Sequence, residues 1–356
     1  MDKMTHVKFN LNNFLLSISG AIDNAIKQNK FDTPYSSQRV SYIALNIGIF
    51  NGLTELELAD LLSHILLSKQ NIGAEDLRVF PFSDKSVLEK KEVLEIIYLS
   101  NIIEDNLNIE DKYVTNKEHV LELVENLDDI DESIKENLFF LSEKDSFWFD
   151  LTNDYRLPFL ILDMIGDATL EISYVDLIHI SKIIYQIANH YSGKNYHEPM
   201  MDNLNKLCHL YKFDEKDTAR MLLSGYLSGI GVLRIPQSIL QKGEPLSSNE
   251  INIMRAIPYY TKQILSMIFG FDDIVKLASS VYEKNDGSGY PYKLEGNDLA
   301  FKNRVLSVIF TVKELEDIKF NGIYSDQGEI SEKLEAIASD GKLDISIVKD
   351  FTLLLK

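Results

Sequence analysis

Apolar positions along the chain recur at helical spacing. Val40, Ile43, Ala44 and Ile47 fall at i, i+3, i+4 and i+7, which lays them along one face of an amphipathic helix. Thr54-Glu55-Leu56-Glu57 reads as a capping box, in which Thr and Glu reciprocally satisfy backbone N–H groups at a helix start. The helix it opens carries Leu58, Leu61, Leu62 and Ile65 on one face. Further boxes are expected at Thr115–Glu118 and Ser247–Glu250, and Pro258 is expected to bend or restart a helix. No stretch sustains β alternation, so strands should be few and short. The pattern predicts an all-α chain.

Two stretches read as one unit used twice. Residues 36–67 and 197–231 each hold a helix, a short turn with an acidic cap, and a second helix. The second helices contain Ser63-His64-Ile65 and Ser228-Gly229-Ile230. This points to a duplicated helical domain, with residues 1–165 as one copy and 166–356 as the other. Between them, Leu127–Glu132 is acidic without the regular ligand spacing of a calcium loop, so a solvated turn is expected. Ser146-Phe147-Trp148-Phe149 is expected in a core or domain interface.

Composition narrows the function classes. The 356 residues are 45% hydrophobic and 26% charged, enough apolar material for sizeable cores. The formal net charge of −19 opposes binding to nucleic acid and to anionic membranes. Lys90-Lys91 is flanked by Glu89 and Glu92 and reads as a solvated face. A single cysteine, Cys208, excludes an intrachain disulfide and a cysteine zinc cluster, and its apolar-periodic setting suggests a buried, inert thiol. The first residues lack a signal-peptide pattern, and no run reaches the roughly 18 apolar residues of a membrane span. A cytoplasmic location is the expectation.

The most specific segment is Glu283-Lys284-Asn285-Asp286-Gly287-Ser288-Gly289-Tyr290-Pro291, a glycine-rich loop stiffened at its exit by proline. It resembles the signature of the HD-GYP family, His-His-Glu-x-x-Asp-Gly-x-Gly-Tyr-Pro. Ile235–Lys242, Leu246–Met254 and Arg304–Val308 resemble flanking segments of that family, so the resemblance covers residues 185–318. A looser likeness over 14–70, through Ile22-Asp23 and Arg39–Leu45, is to the extra N-terminal HD domain of some members.

The resemblance implies two HD-type helical domains and a phosphodiesterase chemistry. Members hold two or three metals, commonly iron or manganese, which activate water and neutralise phosphoryl charge while cleaving cyclic di-GMP. The family's first histidine falls on His197. Its His-Asp pair falls on Ser228 and Gly229, and the lysine that follows on Val232. Its later histidines fall on Ile257, Val281 and Tyr282, and its late aspartate on Phe310. No histidine occurs after His209. Gly, Val, Ile and Phe offer no side-chain lone pair, so no metal cofactor and no catalytic residue is expected. Val281, Ile257 and Phe310 should instead pack the former centre as core, since each buried unpaired polar group would cost about 1–3 kcal/mol.

The expected function is that of a catalytically inactive signalling or protein-interaction module. The alternatives are a sensor that binds cyclic di-GMP without cutting it and a metal-dependent phosphodiesterase. Candidate binding residues are Asp286, Gly287, Gly289, Tyr290 and Pro291 of the loop, with Lys242 and Arg304 as phosphate contacts. A protein partner is expected, and homodimerisation is open.

Overall fold

The helical spacing is realised in a computed structural model that describes residues 6–26, 35–68, 80–81, 89–110, 113–166, 168–193, 199–320 and 327–355. Lys8–Leu170 forms one compact unit; Met1–Val7 and Glu171–Lys356 form the other. Among the described residues the strands are short, and no helix is long and apolar enough to cross a membrane.

Strand β1 (His6–Asn10) leads into the N-terminal unit, which continues through helices α1 (Leu11–Ile26), α2 (Ser36–Phe50), α3 (Glu55–Ser68) and α4 (Lys91–Asn106). A hairpin of β2 (Ile109–Glu110) and β3 (Tyr113–Val114) follows, with Ile109 opposite Val114. Helices α5 (Lys117–Glu125), α6 (Glu132–Ser142), α7 (Asp145–Leu151) and α8 (Leu157–Ile165) complete it before β4 (Thr169–Ser173). Helix α2 is central and packs on α1, α3, α4, α6 and α8. Val40, Ile43, Ala44 and Ile47 are fully buried, as their spacing requires.

The same helix carries buried polar groups. Arg39 pairs with Glu104 at 3.0 Å, and the Ser36 hydroxyl donates to Glu104 at 2.7 Å. Asp23 accepts from the backbone N–H and hydroxyl of Ser37, at 3.0 and 2.7 Å. Burial outweighs these bonds and pushes the Asp23 carboxyl up to about 6. His64 is half-buried on α3, where desolvation lowers its pKa. The neighbouring Ser63 hydroxyl donates to Asn12 at 2.7 Å.

Two of the expected capping boxes form. The Thr54 N–H donates to Glu57 at 2.8 Å and the Ser247 N–H donates to Glu250 at 2.7 Å, with return bonds from both glutamate N–H groups. The box at Thr115–Glu118 does not. Asn116 stands at the helix N-cap without a side-chain bond there, and its side chain instead accepts from the Asn108 N–H at 2.8 Å. Closing the β2–β3 hairpin takes up the polar groups that the local pattern assigns to the helix.

The C-terminal unit runs α9 (Tyr174–Tyr191), α10 (Pro199–Leu210), α11 (Glu215–Leu227), a 3-10 turn (Ile230–Arg234), α12 (Gln237–Leu240), α13 (Ser248–Met254) and α14 (Ile257–Leu265). Helices α15 (Asp272–Ala278), α16 (Phe301–Phe320), α17 (Gln327–Ser339) and α18 (Ile345–Leu354) follow. Pro258 restarts the chain at the head of α14, where its missing N–H costs nothing. Its core is built around α16, with Val305, Leu306, Val308, Ile309 and Phe310 buried against α10, α17 and α18. Cys208 is fully buried, and burial pushes its thiol up to about 12, which leaves it inert as a nucleophile.

Candidate functional site

The loop between α15 and α16 is organised by one buried carboxylate. Glu283 is fully buried, and its two oxygens accept the N–H groups of Tyr292 and Leu294 at 2.7 and 3.0 Å. Its own carbonyl accepts the Ser307 hydroxyl at 2.7 Å, which ties the loop to α16. Gly289 is required by space, because a Cβ there would stand 2.4 Å from the Lys284 nitrogen and 2.5 Å from the Glu283 Cα. Gly287 adopts φ +73°, the left-handed region that glycine enters freely. Asp286 is exposed and accepts the Ser288 N–H and hydroxyl at 3.0 and 2.6 Å, a local turn. The peptide before Pro291 is cis.

This frame presents Tyr290. Its ring stacks on Tyr282 at 5.1 Å between centroids and 8° between planes, with the Arg255 guanidinium 5.7 Å from the ring centre. Its hydroxyl bonds the Glu314 carboxylate, and burial is the larger cause that raises its pKa. Tyr282 in turn meets Phe310 edge-on at 5.7 Å.

Tyr282 and Tyr290 form one wall of a cavity of about 190 Å³. Helix α9 forms another through Tyr185, Ala188, Asn189 and Ser192, a single helical face by spacing. Gly229, Val232 and Ile257 close the floor, and Lys313 and Glu314 enter from α16. The chain around Gly229 is held by Thr261, whose hydroxyl donates to the Ser228 carbonyl at 2.7 Å and accepts the Gly231 N–H at 3.1 Å. Gly231 is needed for this approach, since a Cβ would sit 2.0 Å from the Ile257 carbonyl oxygen.

The cavity therefore stands where the sequence resemblance places the metal centre. That centre is not wholly packed, contrary to the expectation for Ile257. Val281 and Phe310 are core residues, but Ile257 faces open space. Two features leave the gap: Gly229 contributes no side chain, and the Tyr282 ring packs against Tyr290 and Phe310. His197 lies outside the described residues. Among the described residues, no three His, Cys, Asp or Glu side chains come together as a metal-ligand group. Gly229, Val232 and Ile257 give a metal no donor, so the side chains present do not fit a two-metal centre.

Of the residues singled out in the sequence, the structure brings Tyr290 to the cavity. The glycines, Asp286 and Pro291 shape the loop behind it. Lys242 bonds both Glu250 oxygens at 2.8 and 2.9 Å, extending the Ser247 capping box. Arg304 pairs with Asp344 at 2.9 Å. Neither lines the cavity, and each has its charge met by a carboxylate. Sequence reasoning missed Tyr185, Asn189, Lys313 and Glu314. The interval 185, 188, 189, 192 held the one available signal, a tyrosine and an amide on a shared helical face.

The charges at the cavity are unevenly matched. Glu314 bonds the Tyr290 hydroxyl and also attracts the Lys284 ammonium, which is mostly buried and hydrogen-bonded to the Thr311 hydroxyl. Desolvation lowers the Lys284 pKa. Lys313 reaches the Tyr185 hydroxyl at 3.3 Å and lies 5.4 and 5.8 Å from the Tyr185 and Phe310 ring centres.

Residues 180–344 match the family model described as an HD domain. The chain is 29% identical over 142 residues to 3′3′-cGAMP-specific phosphodiesterase 2 of Vibrio cholerae, covering 38% of this chain and 27% of that protein. It is 32% identical over 81 residues to phosphodiesterase 3 of the same organism, covering 23% of this chain and 18% of that protein. The matched stretches thus span less than a third of these relatives. A crystal structure of a cyclic GMP-AMP specific phosphodiesterase from V. cholerae shares the fold, with a TM-score of 0.66 and 15% identity over 98% of this chain and 99% of that one. Residues 180–344 thus match an HD domain, and the chain is similar in part to cyclic-dinucleotide phosphodiesterases.

Proposed function

We propose that the chain is a signalling protein of the HD-GYP type that binds a cyclic dinucleotide in its C-terminal unit and does not hydrolyse it. The observation that carries the reading is the cavity itself. An open, tyrosine-walled space stands at the position of the family's metal centre, and Gly229, Val232 and Ile257 line it without one metal-binding atom in their side chains. Hydrolysis in this family draws on metal-activated water, and the donor set removes that route. What is retained, the glycine-rich loop and its Tyr290, shapes a binding wall.

The ligand class comes from the relatives, which are named as acting on 3′3′-cGAMP; cyclic di-GMP shares its phosphodiester ring. On this reading the N-terminal unit is a second, degenerate HD domain: His64 lies near the family's paired position, and Ile65 follows it where an acidic partner would be needed.

A second reading, a protein-interaction module, is favoured by the exposed apolar side chains Ile251, Ile253, Tyr259, Met267 and Phe269 on and after α13 and α14. The test is incubation of the purified full chain with 3′3′-cGAMP and with cyclic di-GMP in manganese or ferrous buffer, read by chromatography. Intact nucleotide with a ligand-dependent rise in Tm supports the proposal. Linear or mononucleotide product at enzymatic turnover overturns it.

A further inference from the structure

The cavity holds one buried donor without a partner and one cation without a carboxylate among the described residues. The Asn189 side-chain nitrogen is buried without a hydrogen-bond partner. A buried donor left unpaired is costly, and native structures usually answer it with water or a ligand. The second group is Lys313. Its only polar contact among the described residues is the Tyr185 hydroxyl, and no carboxylate there forms an ion pair with it. Among the described residues the one carboxylate at the cavity, Glu314, is taken up by the Tyr290 hydroxyl and by Lys284. Ser192 apart, the rest of the described wall is apolar or aromatic, including Val232, Leu240, Met254 and Ile257.

An ammonium, an amide donor and a phenol hydroxyl facing an apolar slot fit an oxyanion attached to a planar ring. We infer that Lys313, Asn189 and Tyr185 form a metal-free phosphate site, which holds one phosphate of a nucleotide while its base enters the apolar part of the cavity. The inference rests on the reading of this unit as a non-hydrolysing nucleotide receptor and supplies the cation that the lost metals would have provided. Charge-assisted hydrogen bonds from lysine are strong enough for the task in a partly enclosed site. A space of about 190 Å³ is smaller than the roughly 300–1,000 Å³ of usual ligand pockets, so it takes the phosphate and part of one nucleotide of a cyclic dinucleotide, and a mononucleotide presents the same chemistry.

The experiment is calorimetric titration of the full chain in excess EDTA with three probes: 3′3′-cGAMP, GMP and inorganic phosphate. Wild type is compared with Lys313→Met, which keeps the aliphatic stem, with Lys313→Arg, and with Lys349→Met, at an exposed lysine of α18, as a control. At least one probe should bind wild type without metal. Lys313→Met should weaken that binding about ten-fold or more, the size expected when one charge-assisted contact is lost. Lys313→Arg and Lys349→Met should bind within about three-fold of wild type on the same scale. The probe that binds identifies the source: 3′3′-cGAMP alone points to the second messenger, GMP to a mononucleotide, and phosphate alone to the oxyanion site without base selection.

Binding in EDTA that Lys313→Met leaves unchanged overturns the inference and leaves the receptor reading standing. No binding of any probe in EDTA overturns the inference as well. A parallel incubation with manganese then separates the cases: turnover of 3′3′-cGAMP defeats the receptor reading too, whereas intact nucleotide returns the function to a protein partner.

Discussion

Replacing Glu283 tests whether the loop that presents Tyr290 is held from within. Its carboxylate is fully buried, and each oxygen accepts one backbone N–H, from Tyr292 at 2.7 Å and Leu294 at 3.0 Å. Hydrogen bonds to a charged group contribute about 1.5–3 kcal/mol each, and a buried donor left without an acceptor costs about 1–3 kcal/mol. Glu283→Gln keeps the shape and one acceptor, but turns its NH2 group toward the other N–H. The expected loss is about 2–4 kcal/mol. Glu283→Ala removes both acceptors and leaves a hole, so its loss should be larger, roughly 4–6 kcal/mol. Urea unfolding followed by circular dichroism measures the loss. Fluorescence of the single tryptophan, Trp148, reports on the N-terminal unit and separates a local loss from a global one. A Glu283→Gln protein within about 0.5 kcal/mol of wild type would refute the reasoning, because an exposed glutamate tolerates that change.

Two further perturbations probe other parts of the account. The buried Asp23 carboxyl titrates near 6, above its ordinary value of 3.8, so its contribution to stability is complete in acid and is lost as pH rises through about 6. The stability of wild type relative to Asp23→Asn should therefore fall by about 2 kcal/mol between pH of about 4 and about 7, by denaturant titration across that range; a constant difference would contradict the burial. Gly231→Ala would press a Cβ onto the Ile257 carbonyl oxygen and the Thr261 nitrogen, at 2.0 and 2.7 Å. It should cost roughly 3 kcal/mol of stability and weaken nucleotide binding by moving α14, and a neutral effect would contradict the close approach.

The parts of this molecule that were legible in its sequence are those set by local periodicity and steric demand. The stripe of Val40, Ile43, Ala44 and Ile47 marks α2 because burial on one face leaves a 3.6-residue trace. The glycines of the loop stand out because a Cβ at Gly289 has nowhere to go. Thr115 misled because the hairpin closed between Asn108 and Thr115 competes for the same polar groups, and that competition lies beyond the local helix pattern. The cavity was illegible for a similar reason. Tyr185 and Asn189 look like ordinary members of an amphipathic helix, and Lys313 like an ordinary surface lysine. Only when α9, α14 and α16 come together does the amide lose its partner and the ammonium its carboxylate. Lys242 and Arg304 erred in the other direction: in sequence they are cations near the motif, and in the fold Glu250 and Asp344 meet their charge.

The central claim is that the C-terminal HD domain has exchanged a metal centre for a metal-free pocket. Elemental analysis tests it most directly, on full-length protein purified without chelator from cells supplied with iron, manganese and zinc. The account predicts metal near zero per chain. Close to one or more per chain, held through gel filtration, would contradict it and place the ligands on side chains other than those lining the cavity.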